Sequence, residues 1–264
     1  KMHFNEDGID LKNWMGLLKD QGETSESNGF LQNIKDLNLR NSVFVDNTAN
    51  KEVTELYASC LEQSIAVVAC NKIACSSSFD NYKRLKFLSR KYNAPFLFET
   101  NVGAGLPVID TLKNLISSGD EVTEIQAVLS GSLNFIFNNF NAQSSFHDIV
   151  VQAGKEGYTE PDPRIDLSGV DVMRKILILM RESGRQSELS DIENDSFLPD
   201  SCASSESVSD FMNCLKNESA HFEDLRCAAE KEECRLKYVA SFNQGKAKVG
   251  LKHIAKDHPF YNLD

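Results

Sequence analysis

A chain of 264 residues, 41% hydrophobic and 25% charged, has apolar mass for one large core or two modest ones. Its mean hydropathy of −0.35 excludes a disordered composition. The formal net charge of −11, without a clustered basic face, argues against nucleic acid as a partner, and no apolar run is long enough to span a membrane.

The seven cysteines, at 60, 70, 75, 202, 214, 227 and 234, are odd in number and lack CxxC spacing. They predict neither a disulfide framework nor a zinc knuckle, and a reducing cytoplasmic setting. The five histidines form no HExxH pair, which argues against a transition-metal site. Nothing at the start resembles a signal peptide. A beginning at Lys1 rather than Met suggests a piece of something longer.

From 43 to 117 short apolar runs alternate with helical patterns. "VFVD" (43–46) precedes a helix over 51–63, "IAVVA" (65–69) one over 80–92, and "FLFE" (96–99) one over 107–116. That spacing predicts βαβ units and a parallel sheet. "VTEIQAVLSGS" (122–132) then predicts a strand ending in a tight turn, and "LNFIFNNF" a helix. The next helix, over about 168–183, is expected to start on Ser168 as cap with Asp171 as the capping-box acid, and to stop at Gly184. Residues 194–210, rich in Ser, Asp and Glu, suggest a surface loop. "RLKYVASF" and "KAKVGLKHI", joined by "NQG", predict a β-hairpin turning at Gly245.

The polar residues of the first region follow its strands: "NTANKE", "CNK" and "ETNVGAGLP". Ligands of open α/β sheets bind beyond the carboxyl ends of the strands, so together these ends suggest one ligand-lined rim. In "NVGAGLP" the glycines allow a sharp turn whose carbonyls could face a hard cation; a plain strand-to-helix loop explains the same residues. No GxGxxG occurs. The helix start at "LSGS" offers N–H groups to a carboxylate, or is simply a tight turn.

"GYTEPDPRIDLSGVDVMRK" (157–175) holds Glu160, Asp162, Asp166 and Asp171 against an apolar helix, with Lys175 one turn after Asp171. An exposed Asp–Lys pair four apart is usually a surface salt bridge. Here a loop stiffened by Pro161 and Pro163 gathers acids at the start of a helix whose Val172, Ile176 and Leu179 face a core. Carboxylates around a lysine can fix its position and tune its proton affinity, and can accept hydrogen bonds from a substrate amino group.

These motifs resemble those of homoserine dehydrogenases: "NTANKE", "CNKIA", "ETNVGAGLPVIDTL", "LSGSLNFIF" and "GYTEPDPRIDLSGVDVMRK", in that order. "GIDLKNW" further resembles the dehydrogenase portion of bifunctional aspartokinase–homoserine dehydrogenases. The resemblance runs from about residue 7 to 185. It implies a reversible NAD(P)-dependent reduction of L-aspartate 4-semialdehyde to L-homoserine, in threonine and methionine biosynthesis, by a homodimer. It also implies the roles: Lys175 as proton donor and Lys72 as the second lysine of the reaction centre. Glu160 and Asp171, with Asp166 in support, would bind substrate, and Thr48, Lys72, Gly157 and Glu160 would contact the cofactor. Glu99 and the carbonyls of Val102, Ala104 and Leu106 would hold sodium or a similar monovalent cation. The family has an acid where this chain has Ile165, and its glycine-rich nucleotide fingerprint is expected to precede Lys1.

The expected fold is α/β: a partial Rossmann-like parallel sheet over 1–101, then an α+β substrate-binding and dimerisation domain over 102–264. The alternatives are a non-catalytic dimerisation and substrate-pocket fragment, or another NAD(P)-dependent reductase of amino acid aldehydes.

Overall fold

β-Branched residues and period-two burial make strands of Val43–Asp46 (β1) and Ala66–Ala69 (β2), with Phe96–Leu97 (β3) beside them. A computed structural model describes residues 1–24 and 26–263, which form two compact units, Lys1–Asn101 and Val102–Asp264.

In the first unit the three strands run parallel in the order β1-β2-β3. Helices Trp14–Asp20 (α1) and Ser27–Leu37 (α2) come before the sheet. Between and around the strands lie Lys51–Thr54 (α3), Tyr57–Glu62 (α4), Ile73–Ser76 (α5) and Phe79–Lys91 (α6). One sheet face buries Phe44, Val67, Phe96 and Phe98 under Tyr57, Leu61 and Leu85, whereas Val43, Val45 and Leu97 on the other are more than half exposed.

Two details differ from the sequence expectation. The helix over 51–63 is two, because Glu55 and Leu56 donate to carbonyls three residues back, a tighter turn than the α-helix. The third strand stops at Leu97, since Asn101 N–H returns to the Phe98 carbonyl and winds Glu99–Asn101 into a 3₁₀ turn.

The second unit opens with Val108–Ser117 (α7) and is built on a four-stranded sheet. Its strands are Glu124–Ala127 (β4), Ile192–Asp195 (β5), Arg235–Asn243 (β6) and Lys246–Ile254 (β7), ordered β4-β6-β7-β5. β6 and β7 form the expected hairpin, with Gln244 and Gly245 both at positive φ, as a two-residue turn of the right twist requires. Gly131–Asn139 (α8) and Val170–Glu182 (α11) pack on this sheet, α11 through Val172, Ile176 and Leu179. Phe146–Lys155 (α9), Pro163–Leu167 (α10), Val208–Asn217 (α13) and Ser219–Lys231 (α14) complete the unit around a phenylalanine core. There Phe146 stacks on Phe222 with centroids 4.1 Å apart. No helix among the described residues is long and apolar enough to cross a membrane.

The stretch expected as a loop over 194–210 carries structure. β5 pairs parallel with β7, and a short helix, Asp200–Ala203 (α12), packs on α13. That packing brings Cys202 and Cys214 to a Cα separation of 5.4 Å, where they form a disulfide, contrary to the reading from spacing alone. The two lie twelve positions apart in the chain, so only tertiary contact reveals the pair. A thiol titration checks this. Cys70, Cys227 and Cys234 are expected to react in the folded chain. Buried Cys75 and Cys60, whose thiol burial pushes up to about 11, should follow only in denaturant, and the remaining two only after reduction. Seven reactive thiols in denaturant without reductant would remove the disulfide.

Candidate functional site

In the second unit the loop between α9 and α11 is held by a series of local devices. α9 ends in a Schellman motif: Gly157, at φ +79°, donates to the Gly154 carbonyl and Tyr158 N–H to that of Ala153. The Tyr158 ring stacks on Phe135 of α8 at 4.1 Å. Asp162 caps α10 by accepting from Arg164 N–H, and Pro163 sits at the first helical position. The Arg164 guanidinium turns back onto Asp162 at 2.6 Å, holding that carboxyl below the ordinary carboxylate range, and donates to the Ser205 and Glu206 carbonyls. Asp162 is therefore spent on ordering the loop against the segment before α13.

Asp166 does the same on the other side. Its Oδ1 accepts the Ser132 hydroxyl at 2.8 Å and its Oδ2 the Glu160 N–H at 2.9 Å. Ser130, hydrogen-bonded to Ser132, caps α8 through Leu133 N–H. The carboxylate that meets the "LSGS" helix start is thus the chain's own, and it fixes where exposed Glu160 leaves the loop.

The start of α11 departs from the expected capping box. Ser168 closes α10 instead, and Gly169 is the N-cap of α11, at φ +74° with no side-chain cap. The chain breaks there because two short helices meet at a left-handed residue, and the break releases Asp171 from capping. Its Oδ2 lies 2.7 Å from Lys175 Nζ, which also donates to the Leu129 carbonyl at 2.6 Å. Lys175 is 17% exposed and Asp171 39%, so the pair lies at a half-open surface rather than in free water. The helix stops as expected at Gly184, φ +88°.

In the first unit the strand ends form a polar rim. Cys70 N–H continues the ladder to the Asp46 carbonyl at 2.9 Å, and its Sγ lies 3.2 Å from Asn47 Oδ1 and 3.3 Å from Thr100 Oγ1. Exposed Thr48 donates its N–H to Asp46, and half-buried Lys72 precedes α5. Thr48 and Lys72 thus follow adjacent paired strands, at the carboxyl ends where open α/β sheets bind ligands. Glu99 opens the 3₁₀ turn of this unit. In the second unit Val102 is buried, Gly103 and Ala104 are both left-handed, and Leu106 N–H closes on the Gly103 carbonyl at 3.0 Å while Val108 N–H donates to that of Leu106.

Several contributors were not singled out from sequence: Asp46, Asn71, Ser130, Ser132, Arg164 and the Leu129 carbonyl. Asp46 left a signal in sharing the buried parity of β1 with Phe44, and the motifs "CNK" and "LSGS" contain Asn71, Leu129, Ser130 and Ser132 without giving their individual roles. Asn71, Ser132, Arg164 and the Leu129 carbonyl act through partners tens of residues away, and Ser130 through Ser132, which Asp166 engages.

The family described as "Homoserine dehydrogenase" matches residues 107–264, and "Homoserine dehydrogenase, NAD binding domain" matches 9–99. A bifunctional aspartokinase/homoserine dehydrogenase 2, chloroplastic, of Zea mays is 39% identical over 99% of this chain, which spans 29% of that protein's length. A crystal structure of a Candida auris protein of unknown function superposes with a TM-score of 0.88 at 31% identity, covering 99% of this chain and 75% of the other. A hyperthermophilic archaeal homoserine dehydrogenase in complex with NADPH shares the fold, with a TM-score of 0.68 at 23% identity and coverages of 96% and 70%. Family matches over both units, with relatives 38–39% identical along nearly the whole chain, establish that the chain belongs to the homoserine dehydrogenase family.

Proposed function

We propose that this chain serves an NAD(P)-dependent interconversion of L-aspartate 4-semialdehyde and L-homoserine, in threonine and methionine biosynthesis. The observation that carries the reading is Lys175, an ammonium held by one carboxylate and one carbonyl with two of its three N–H bonds committed. The remaining N–H is available to a substrate oxygen.

When bound, the nicotinamide supplies the hydride to the aldehyde carbon. Lys175 gives its proton to the carbonyl oxygen as that oxygen gains charge, and takes it back in the reverse direction. Glu160 and Asp171 receive the substrate's α-ammonium group, and Asp166 keeps Glu160 in place through its N–H. The resemblance gives Lys72 the part of the second lysine and assigns cofactor contacts to Thr48 and Lys72 in the first unit and to Gly157 and Glu160 in the second. The resemblance assigns a monovalent cation such as sodium to Glu99 and to the carbonyls of Val102, Ala104 and Leu106; within the second unit the left-handed pair at Gly103 and Ala104 supports a carbonyl-presenting turn. The homodimer is carried over from the resemblance.

The test is homoserine-dependent reduction of NAD⁺ or NADP⁺ by the purified chain and by a form of the relatives' full length. Reduction with homoserine, and little with serine or threonine, is the expected result. No homoserine-dependent signal from either protein overturns the reading.

A further inference from the structure

Asp46 ends β1 with 1% of its surface exposed, and its carboxylate satisfies three donors at once. Oδ1 accepts Thr48 N–H at 2.7 Å; Oδ2 accepts the Tyr57 hydroxyl and, at 3.1 Å, Asn71 Nδ2. Asn71, itself buried, passes the connection on: Nδ2 also donates to the Asn50 carbonyl at 3.0 Å, and Oδ1 accepts Ile73 N–H at 3.1 Å. One carboxylate thus ties residues 46–50 to residues 71–73, and Lys72 lies between the two anchored positions. Tyr57, buried beside Asp46, has its phenol pushed far above the ordinary range, so it remains a donor throughout the physiological range.

A buried carboxylate is costly to desolvate, and apolar residues of similar volume hold strand ends together at least as well. What a carboxylate adds is direction, because each bond fixes the angle of a particular donor. We propose that Asp46 is a positioning residue: through the Thr48 amide and the Asn71 carboxamide it sets where Lys72 stands relative to Thr48 at the nicotinamide end of the site. This rests on the function proposed above, which assigns cofactor contacts to Thr48 and Lys72 but no part to Asp46.

The test compares Asp46→Asn with Tyr57→Phe. The first keeps the shape but turns one acceptor into a donor, so either Thr48 or Asn71 loses its partner. The second removes one donor to Asp46 and leaves its bonds to Thr48 and Asn71 in place. Nicotinamide affinity is read by fluorescence titration with NADPH, kinetics by homoserine oxidation, and local order by amide hydrogen exchange.

For Asp46→Asn the expected result is NADPH binding weakened by about tenfold, the equivalent of losing one charge-assisted hydrogen bond, with the KM for homoserine within about twofold. Exchange at Thr48 and Ile73 should quicken while Val67 and Val68 of β2 stay protected. Tyr57→Phe should lower Tm and leave NADPH affinity within about twofold. Unchanged NADPH affinity in Asp46→Asn, unchanged exchange at both amides, or equal losses of affinity in the two variants overturns the proposal. A native protein that binds NADPH without oxidising homoserine overturns the proposed substrate alone, and Asp46 is then judged on binding and exchange. A native protein that binds no NADPH overturns both.

Discussion

Lys175→Ala is expected to lower kcat for homoserine oxidation by about 10²–10⁴-fold, the range supplied by one positioned acid–base group. The KM for homoserine should stay level or fall. The sign follows from the ion pair: Lys175 Nζ lies 2.7 Å from Asp171, and its removal leaves that carboxylate with more negative potential to offer a substrate ammonium. A loss confined to kcat separates a proton donor from a residue that only binds. Lys175→Arg should not restore turnover, because a guanidinium keeps its charge but does not release a proton near neutrality. Arg174→Ala, one position away on α11, is the control and should leave kcat within about twofold, since the neighbouring ammonium and its partners stay in place. Matching losses in Arg174→Ala and Lys175→Ala would mean that the helix, rather than the ammonium, is what the reaction needs.

Gly169→Ala is expected to be the most damaging small substitution around the site. Gly169 has φ +74°, and a Cβ there would stand 2.1 Å from the Tyr238 hydroxyl and 3.3 Å from Asn194 Oδ1. Tyr238 cannot yield easily. It is buried at 2% exposure in β6, and its hydroxyl donates to Asn194, whose Nδ2 in turn donates to the Ser168 carbonyl. Left-handed backbone costs a residue with a side chain about 1–2 kcal/mol, and overpacking adds about 1–3 kcal/mol. The sum, about 2–5 kcal/mol, corresponds to a fall in Tm of roughly 5–15 °C for a chain of this size. Activity should fall too, because the break at Gly169 sets the direction of α11, which carries Asp171 and Lys175. Adding Tyr238→Phe removes the atom that is struck and should recover part of the Tm. Gly169→Ala melting within about 1 °C of the native chain would refute the packing account.

The alternation of strand and helix from 43 to 117, the hairpin turning at Gly245 and the stop of α11 at Gly184 were legible in the chain itself. Each is a local matter: apolar periodicity and the few residues that tolerate positive φ act within a turn or two. The same locality made "GYTEPDPRIDLSGVDVMRK" conspicuous, since its carboxylates and lysine lie within 19 residues.

Which of those carboxylates does what was decided only by tertiary structure. Asp162 goes to Arg164, Asp166 to Ser132 and the Glu160 amide, and Asp171 to Lys175 rather than to a helix cap. An acid's partner is chosen by the nearest unsatisfied donor in space, and Ser132 is 34 residues from Asp166 in sequence. The Cys202–Cys214 disulfide and the hub at Asp46 have the same cause. Distance along the chain says little about two groups that packing brings within a bond length, so composition and spacing could nominate the site's residues but could not assign their partners.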